Sequence, residues 1–463
     1  MNSEVKQGYS RMTEGNPFRL IMRFSLPLLA GSALQQVYNM ADSIIVGNFV
    51  GNTALVAVGG AFPIVFLISS LFIGLGIGAM VMVSQFFGAN ETGNLKKTVD
   101  TIYTGLVVGA IPISLLSLLL IQPAIQLMQV PAEAAQEAYT YLFIVLFGLL
   151  GSLGYNANAG ILQGVGDGKT PLLLLAIACL LDNILNLVFV LGFGMGVTGA
   201  ALSTVIGQWS SWIFGIYFIN RKYPMLRIRV FSFQFEKKIF KEVMRLGIPA
   251  GIQNALFSVA TLLMTRLVNL QGTDFAAGVN AANKLDTFAF LPIQSLSVAA
   301  TTFTGQNMGA GKIERVKKGM WSSLSIGLGF SLLGLLVVPA GPFLMRMFTS
   351  DPVVIQNGMI YLRSIMPFYS MLAVLFIVNS VIRGAGESLI PMISVLVGIC
   401  LVRLPVAYWL EWQFGGESIF YSFAIGWAAS LVFIIPYYLT GRWKHKKVTK
   451  ESELLAVDSG EII

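Results

Sequence analysis

The sequence is poor in charge, in histidine and in cysteine. Only 11% of its 463 residues are Asp, Glu, Lys or Arg, while 55% are hydrophobic and mean hydropathy is +0.75. Soluble domains carry roughly 25% charged residues, so a soluble globular class is excluded and the chain reads as an integral membrane protein with many spans. The single histidine, His445, lies in the basic stretch "RWKHKK", where it reads as a solvated residue beside phospholipid headgroups. With no histidine in any span, no metal triad and no paired-aspartate diphosphate motif, an intramembrane enzyme is unsupported and no cofactor is expected. Cys179 and Cys400 sit far apart in apolar runs, which gives neither a metal-ligand spacing nor a disulfide framework. The net charge of +8 does not mark a nucleic-acid partner, because Lys and Arg cluster in short segments between apolar runs, as in cytoplasmic loops.

What is present in quantity is long apolar sequence. Runs of about 20 residues predict twelve transmembrane helices at 24–48, 56–87, 99–120, 138–163, 171–191 and 196–219, then 246–270, 277–308, 319–345, 356–382, 389–411 and 418–440. Met1 to Arg23 is polar and basic and lacks a short apolar region with a cleavage site, so the first span is expected to remain in the mature protein. Loops after even-numbered spans carry Lys96 and Lys97, Lys169, "RKYPMLRIRVFSFQFEKKIFKEVMR", "KIERVKK" and Arg383. Loops after odd-numbered spans are nearly free of basic residues, with Arg346 the exception. A multi-pass protein of the cell membrane with both termini cytoplasmic is expected.

The two halves repeat. "SQFFGANETGNLKK" from Ser84 matches "GQNMGAGKIERVKK" from Gly305, "RFSLP" at Arg23 matches "RLGIP" at Arg245, and "QGVGDGKTP" matches "RGAGESLIP". The offset stays between 220 and 222 throughout. Six crossings per copy is an even number, so both copies insert the same way round, as in parallel-repeat transporters. The expected fold is all-α, two six-helix lobes around a central cavity: an amino-terminal lobe over 1–219, a basic cytoplasmic connection over 220–245, a carboxy-terminal lobe over 246–440 and a cytoplasmic tail over 441–463.

The first span, so apolar elsewhere, contains "YNMADSIIVG" with an aspartate inside it. A charged carboxylate at mid-bilayer depth costs at least ~3 kcal/mol, so such a residue usually faces a cavity or a partner. Ser32, Gln35, Asn39 and Asp42 are spaced by three and four and share one helix face. In the fifth span, "LLDNILNLVF" puts Asp182 and Asn186 one turn apart, and Thr204 follows in the sixth. If these faces converge, two carboxyls, two amides and a hydroxyl form an oxygen-rich pocket suited to a proton or Na⁺. The plainer alternative is hydrogen bonding that packs helices, most of all for Asn186 and Thr204. Position 42 aligns with Met264, 182 with Val402 and 186 with Val406, so both carboxylates belong to the first copy only. The second copy has Arg403 at matching depth and Arg266, Lys284 and Asp286 nearer helix ends, where Lys284 and Asp286 read as interfacial. Gln35, Asn156 and Arg403 are the candidates for lining a substrate cavity. Pro27, inside the first helix, removes one backbone hydrogen bond and marks a bend.

Taken together these residues resemble the multidrug and toxic compound extrusion (MATE) family, prokaryotic type, over nearly the full chain. The resemblance rests on "SLP" opening the first helix, the spacing from Tyr38 to Asp42, "GMGVTGAALSTV" in span six and the paired "QFFGA" and "QNMGAG" ends of spans two and eight. It implies cation-coupled antiport by alternating access, with H⁺ or Na⁺ entry driving export of amphipathic, often cationic, small molecules. It also implies that Tyr38, Asn39, Asp42, Asp182, Asn186 and Thr204 form the coupling site and that Pro27 bends during the switch. The family commonly has Asn before Asp on helix five, whereas here Asp182 precedes Asn186, which moves the carboxylate by about 6 Å along the same face. The acidic residue that some members carry on helix seven is absent from "GIPAGIQNALFSVATLLMTR". The rival reading is a lipid-linked saccharide or polysaccharide flippase of the wider superfamily, toward which Arg403 leans. Small molecules and the lipid bilayer are the expected partners, and a monomer the expected state.

Overall fold

Twelve helical rods follow one another along the chain, with no strand among the described residues. The computed structural model describes residues 11–50, 52–127, 131–230 and 234–449. The ends of the expected first lobe and tail (1–10 and 450–463) and residues 231–233 of the basic connection lie outside the described residues. The rods are α1 (Pro17–Phe49), α2 (Asn52–Ala89), α3 (Thr92–Leu119, resumed as Ile121–Leu127), α4 (Ala132–Phe147 and Leu149–Gly164), α5 (Lys169–Gly192) and α6 (Gly196–Lys222). The second copy gives α7 (Lys237–Asn269), α8 (Thr273–Gly309), α9 (Ile313–Leu335 and Val337–Met345), α10 (Pro352–Gly384), α11 (Leu389–Phe414) and α12 (Tyr421–Thr440).

Among the described residues, seven helices are long and apolar enough to cross a membrane, or nine if the bent halves of α4 and α9 are joined. The rods that fall short are α1, α6 and α8, and these carry Asp42, Thr204 and Asp286. Their polar content is what lowers the average.

The bend of 49° in α4 has a local cause. At Gly148 the helix meets α6 so closely that a Cβ would lie 2.4 Å from Val205. The indole of Trp209 on α6 donates to the Gly148 carbonyl at 3.2 Å. A break at membrane depth is tolerable where a neighbouring helix takes up the freed backbone group.

The chain divides into two compact units: Met1–Arg11 with Ala30–Gly251, and Met12–Leu29 with Ile252–Ile463. Two of the three changes of unit occur inside a helix, two residues after Pro27 in α1 and two after Pro249 in α7. The segments that lead into the two repeats are therefore exchanged. Met12, fully buried, donates its N–H to Gln306 (2.8 Å) and accepts from Asn307 (3.1 Å) and Arg315 (3.3 Å) in the second unit. At the matching place before α7, Thr104 donates to the Gln234 carbonyl at 3.0 Å and Thr101 accepts from the Glu236 amide at 3.1 Å, in the first unit. The start of α7 then lies against α2, where a Cβ on Gly74 would stand 2.4 Å from the Gly247 carbonyl oxygen. Only glycine permits that approach.

Packing within each unit is apolar and dense. Leu142 and Leu146 of α4 close on Ile121 and Ile125 in the first unit. In the second, Phe24 of α1 joins Leu296, Phe303, Ile377 and Trp427. Each unit also has a corner where a carboxylate caps the fifth helix of the repeat. Asp167 accepts from the Lys169 and Thr170 amides and from Lys222 (2.8 Å), and Glu387 accepts from the Leu389 amide and from Lys446 (3.2 Å).

Candidate functional site

The polar face of α1 meets α5 inside the first unit. Gln35 donates to Asn39 at 3.3 Å, one turn before Asp42, which is half-buried. From α5, Asn186 is buried and its Nδ2 donates to Asp42 Oδ1 at 2.6 Å. A charge-assisted bond of this length is among the stronger ones a neutral amide makes. Asp182, one turn earlier on the same face, is only 3% exposed.

Asp182 is the unusual group. Neither of its carboxylate oxygens has a hydrogen-bond partner among the described residues, and the same holds for Asn186 Oδ1. The hydroxyls nearest to it are those of Tyr38, Ser203 and Thr204. Ser203 and Thr204 spend their protons on the Ala200 carbonyl, at 2.8 and 3.1 Å. On the α6 side the carboxylate stem packs against Gly207, where a Cβ would lie 3.1 Å from Asp182 Cβ. Asp42 stands within electrostatic reach of Asp182. The result is a buried set of acceptor oxygens with the Tyr38 hydroxyl as a donor beside Asp182. An unpaired buried charge is costly, so the donor set suits a proton or a hard monovalent cation. Among the described residues no group of three or more His, Cys, Asp or Glu could hold a metal ion.

Of the other residues singled out from the sequence, Tyr38 and Thr204 lie beside Asp182, and Asn39 beside Gln35. Asn156 on α4 is half-buried, and its amide donates to the Ser152 carbonyl of its own helix (2.8 Å). Pro27 falls in the second unit, inside α1. Arg403 is buried in the second unit, with its guanidinium on the ring of Phe423. Two neighbours escape sequence reasoning. Ser203 is one, and Tyr141 of α4, within electrostatic reach of both carboxylates, is the other. Adjacency to Thr204 was a signal for Ser203, whereas nothing local marks Tyr141. The interfacial reading of Asp286 is corrected: it accepts hydrogen bonds from Tyr361 and Tyr369 of α10, two residues whose proximity the sequence does not display.

The sequence profile of the MatE family matches residues 27–188 and again 249–409. The chain belongs to the MatE family. Both MatE matches begin at the prolines of α1 and α7, which makes the internal repeat a repeat of the family's own unit. A curated relative from Bacillus subtilis (strain 168), "Probable multidrug resistance protein YpnP", is 29% identical over 95% of this chain and 98% of its own. The "FAD transporter" of Shewanella oneidensis is 26% identical over 84% and 87%. A solved structure described as the outward-facing conformation of a multidrug resistance MATE family transporter of the MOP superfamily superposes with a TM-score of 0.88 at 22% identity, over 95% of this chain and 99% of that one. As a MATE protein the chain is a multi-pass membrane transporter and not an enzyme.

Proposed function

We propose that the chain exports amphipathic, often cationic, small molecules in exchange for H⁺ or Na⁺, by alternating access. The observation that carries this reading is the bond from Asn186 to Asp42 beside the unpartnered Asp182. These carboxylates stand where the second repeat has Met264 and Val402, so they serve no need common to both copies. A buried carboxyl that can gain and lose one positive charge supplies a free-energy link between the cation gradient and the cargo. The multidrug names of relatives such as YpnP support cargo of that class.

Counterflow in proteoliposomes, with pH and Na⁺ gradients imposed separately, tests the coupling. Cargo movement driven by one gradient supports the reading, and movement indifferent to both refutes it. The charge bias of the loops supports cytoplasmic termini. With Cys179 and Cys400 replaced, a cysteine at Ser350 should label from outside and one at Thr92 only after permeabilisation.

A further inference from the structure

The second unit holds a polar cluster that the export reading leaves unused. Arg403 ends a π-helical stretch of α11, Leu396–Arg403. Such stretches are rare and often mark functional positions. The side chain is 7% exposed, and its Cζ lies 3.3 Å from the centroid of the Phe423 ring. A guanidinium carries five N–H donors and no acceptor. Here Nε is buried without an acceptor, and Arg403 makes no ion pair among the described residues.

A carboxylate is close by but committed elsewhere. Asp286 of α8 lies within electrostatic reach of Arg403, yet Tyr361 donates to its Oδ2 at 3.1 Å and Tyr369 donates to its Oδ1. Tyr361 and Tyr369 are themselves buried, at 3% and 2% exposure. The two tyrosines thus hold the carboxylate toward α10, so that Asp286 faces the guanidinium only at a distance and makes no direct ion pair with it. Burying a charge is expensive unless it is paired. The wall around it is aromatic: Phe423 stands edge-on to Tyr361 (6.3 Å between centroids) and to Trp427 (6.0 Å). The first repeat has Asn183 at the position of Arg403, so this cation is particular to the second copy.

We propose that Arg403 is an oxyanion-binding residue of the second unit, taking the carboxylate or phosphate of a molecule with an aromatic body. The planar fork of the guanidinium matches both groups in a two-pronged contact. Phe423 is the platform, and Tyr361 and Tyr369 keep Asp286 from competing. This deepens the export reading by adding acidic compounds to the cargo. Its test is a binding measurement, so failure of cation coupling and failure of this site give different results.

Flavin mononucleotide and riboflavin share one ring system and differ by a phosphate. Their binding to the purified full chain is followed by flavin fluorescence polarisation in neutral detergent. The expected result is at least tenfold tighter binding of the mononucleotide. Arg403→Gln should remove that difference, and Arg403→Lys should keep part of it. A lipid headgroup is the other source of the same chemistry. In that case phosphatidylglycerol, and not phosphatidylcholine, raises the unfolding temperature of the unaltered chain but not of Arg403→Gln. Equal binding of the two flavins, together with no Arg403-dependent effect of phosphatidylglycerol, overturns the proposal. If Arg403→Gln does not fold, Arg403→Lys decides: an unchanged flavin ratio and an unchanged lipid effect overturn it.

Discussion

The amide of Asn186 donates to the carboxylate of Asp42 across 2.6 Å and so ties α5 to α1 within the first unit. The bond has a direction. An amide nitrogen can only donate, so Asp42 accepts through Oδ1 and the amide oxygen of Asn186 is left facing the site. Asp182, one turn away, has no such tie. One carboxylate is held by an amide, and the other has the hydroxyls of Tyr38, Ser203 and Thr204 beside it.

Asp42→Asn is expected to abolish gradient-driven export while leaving expression and folding close to normal. The replacement keeps shape and removes only the titrating group. Efflux assays at matched protein level check this, and normal efflux by a well-expressed variant would remove Asp42 from the mechanism.

Asp182→Asn alone should lose most of the transport. Adding Asn186→Asp restores the carboxylate count on the same face of α5, and this double variant should transport again with a changed preference between H⁺ and Na⁺. Rates at several pH values, with and without Na⁺, give the answer. A single variant that transports normally at every pH makes Asp182 a packing residue.

The corner at Asp167 predicts a pH dependence of stability. Burial alone would raise the pKa of this carboxyl, but hydrogen bonds from Lys222, Thr170 and Tyr223 outweigh it and hold the group below the usual aspartate range. A depressed folded-state pKa means stabilisation that is present above the ordinary carboxylate value and lost as pH falls through the depressed one. Asp167→Asn should therefore cost about 1.5–3 kcal/mol near neutral pH. Unfolding temperatures of the variant and the unaltered protein should converge as the solution is acidified below the usual aspartate range. A gap that persists at low pH would contradict the assignment.

Gly74→Leu tests the contact between α2 and the start of α7. The added Cβ meets the Gly247 carbonyl at 2.4 Å, and backbone cannot rotate aside. Overpacking of this kind costs about 1–3 kcal/mol, read as a lower unfolding temperature in detergent. Gly93→Ala, where a Cβ meets nothing within 4 Å, should have no such effect.

Much of the architecture was legible in the sequence because apolar length and the repeated motifs report it directly. The rods fall where the runs predict, but α1 begins at Pro17 and not 24, and α2 extends to Ala89, since helices continue past the apolar stretch when their polar ends hydrate. The break at Gly148 and the π-helical turns of α5 and α11 were not legible. They depend on which neighbour packs there, as Val205 and Trp209 do at Gly148. At the candidate site, helix-face spacing and family resemblance marked Asp42, Asp182 and Asn186. They could not say that Asn186 bonds Asp42 and leaves Asp182 alone. Asp286 was misread because its partners Tyr361 and Tyr369 come from a helix about 75 residues away in sequence.

The exchange of leading segments bears on how the protein can be divided. A cut in the connection between α6 and α7 would leave the amino-terminal fragment without Lys237–Gly251, which belongs to its own unit. That fragment would also keep Met12–Leu29, whose partners Gln306, Asn307 and Arg315 lie on the other piece. Made separately, each fragment would carry a leading segment cut off from its hydrogen-bond partners. Made in the same cell, the two fragments hold each other's missing part, and each should be protected from proteolysis only in the other's presence.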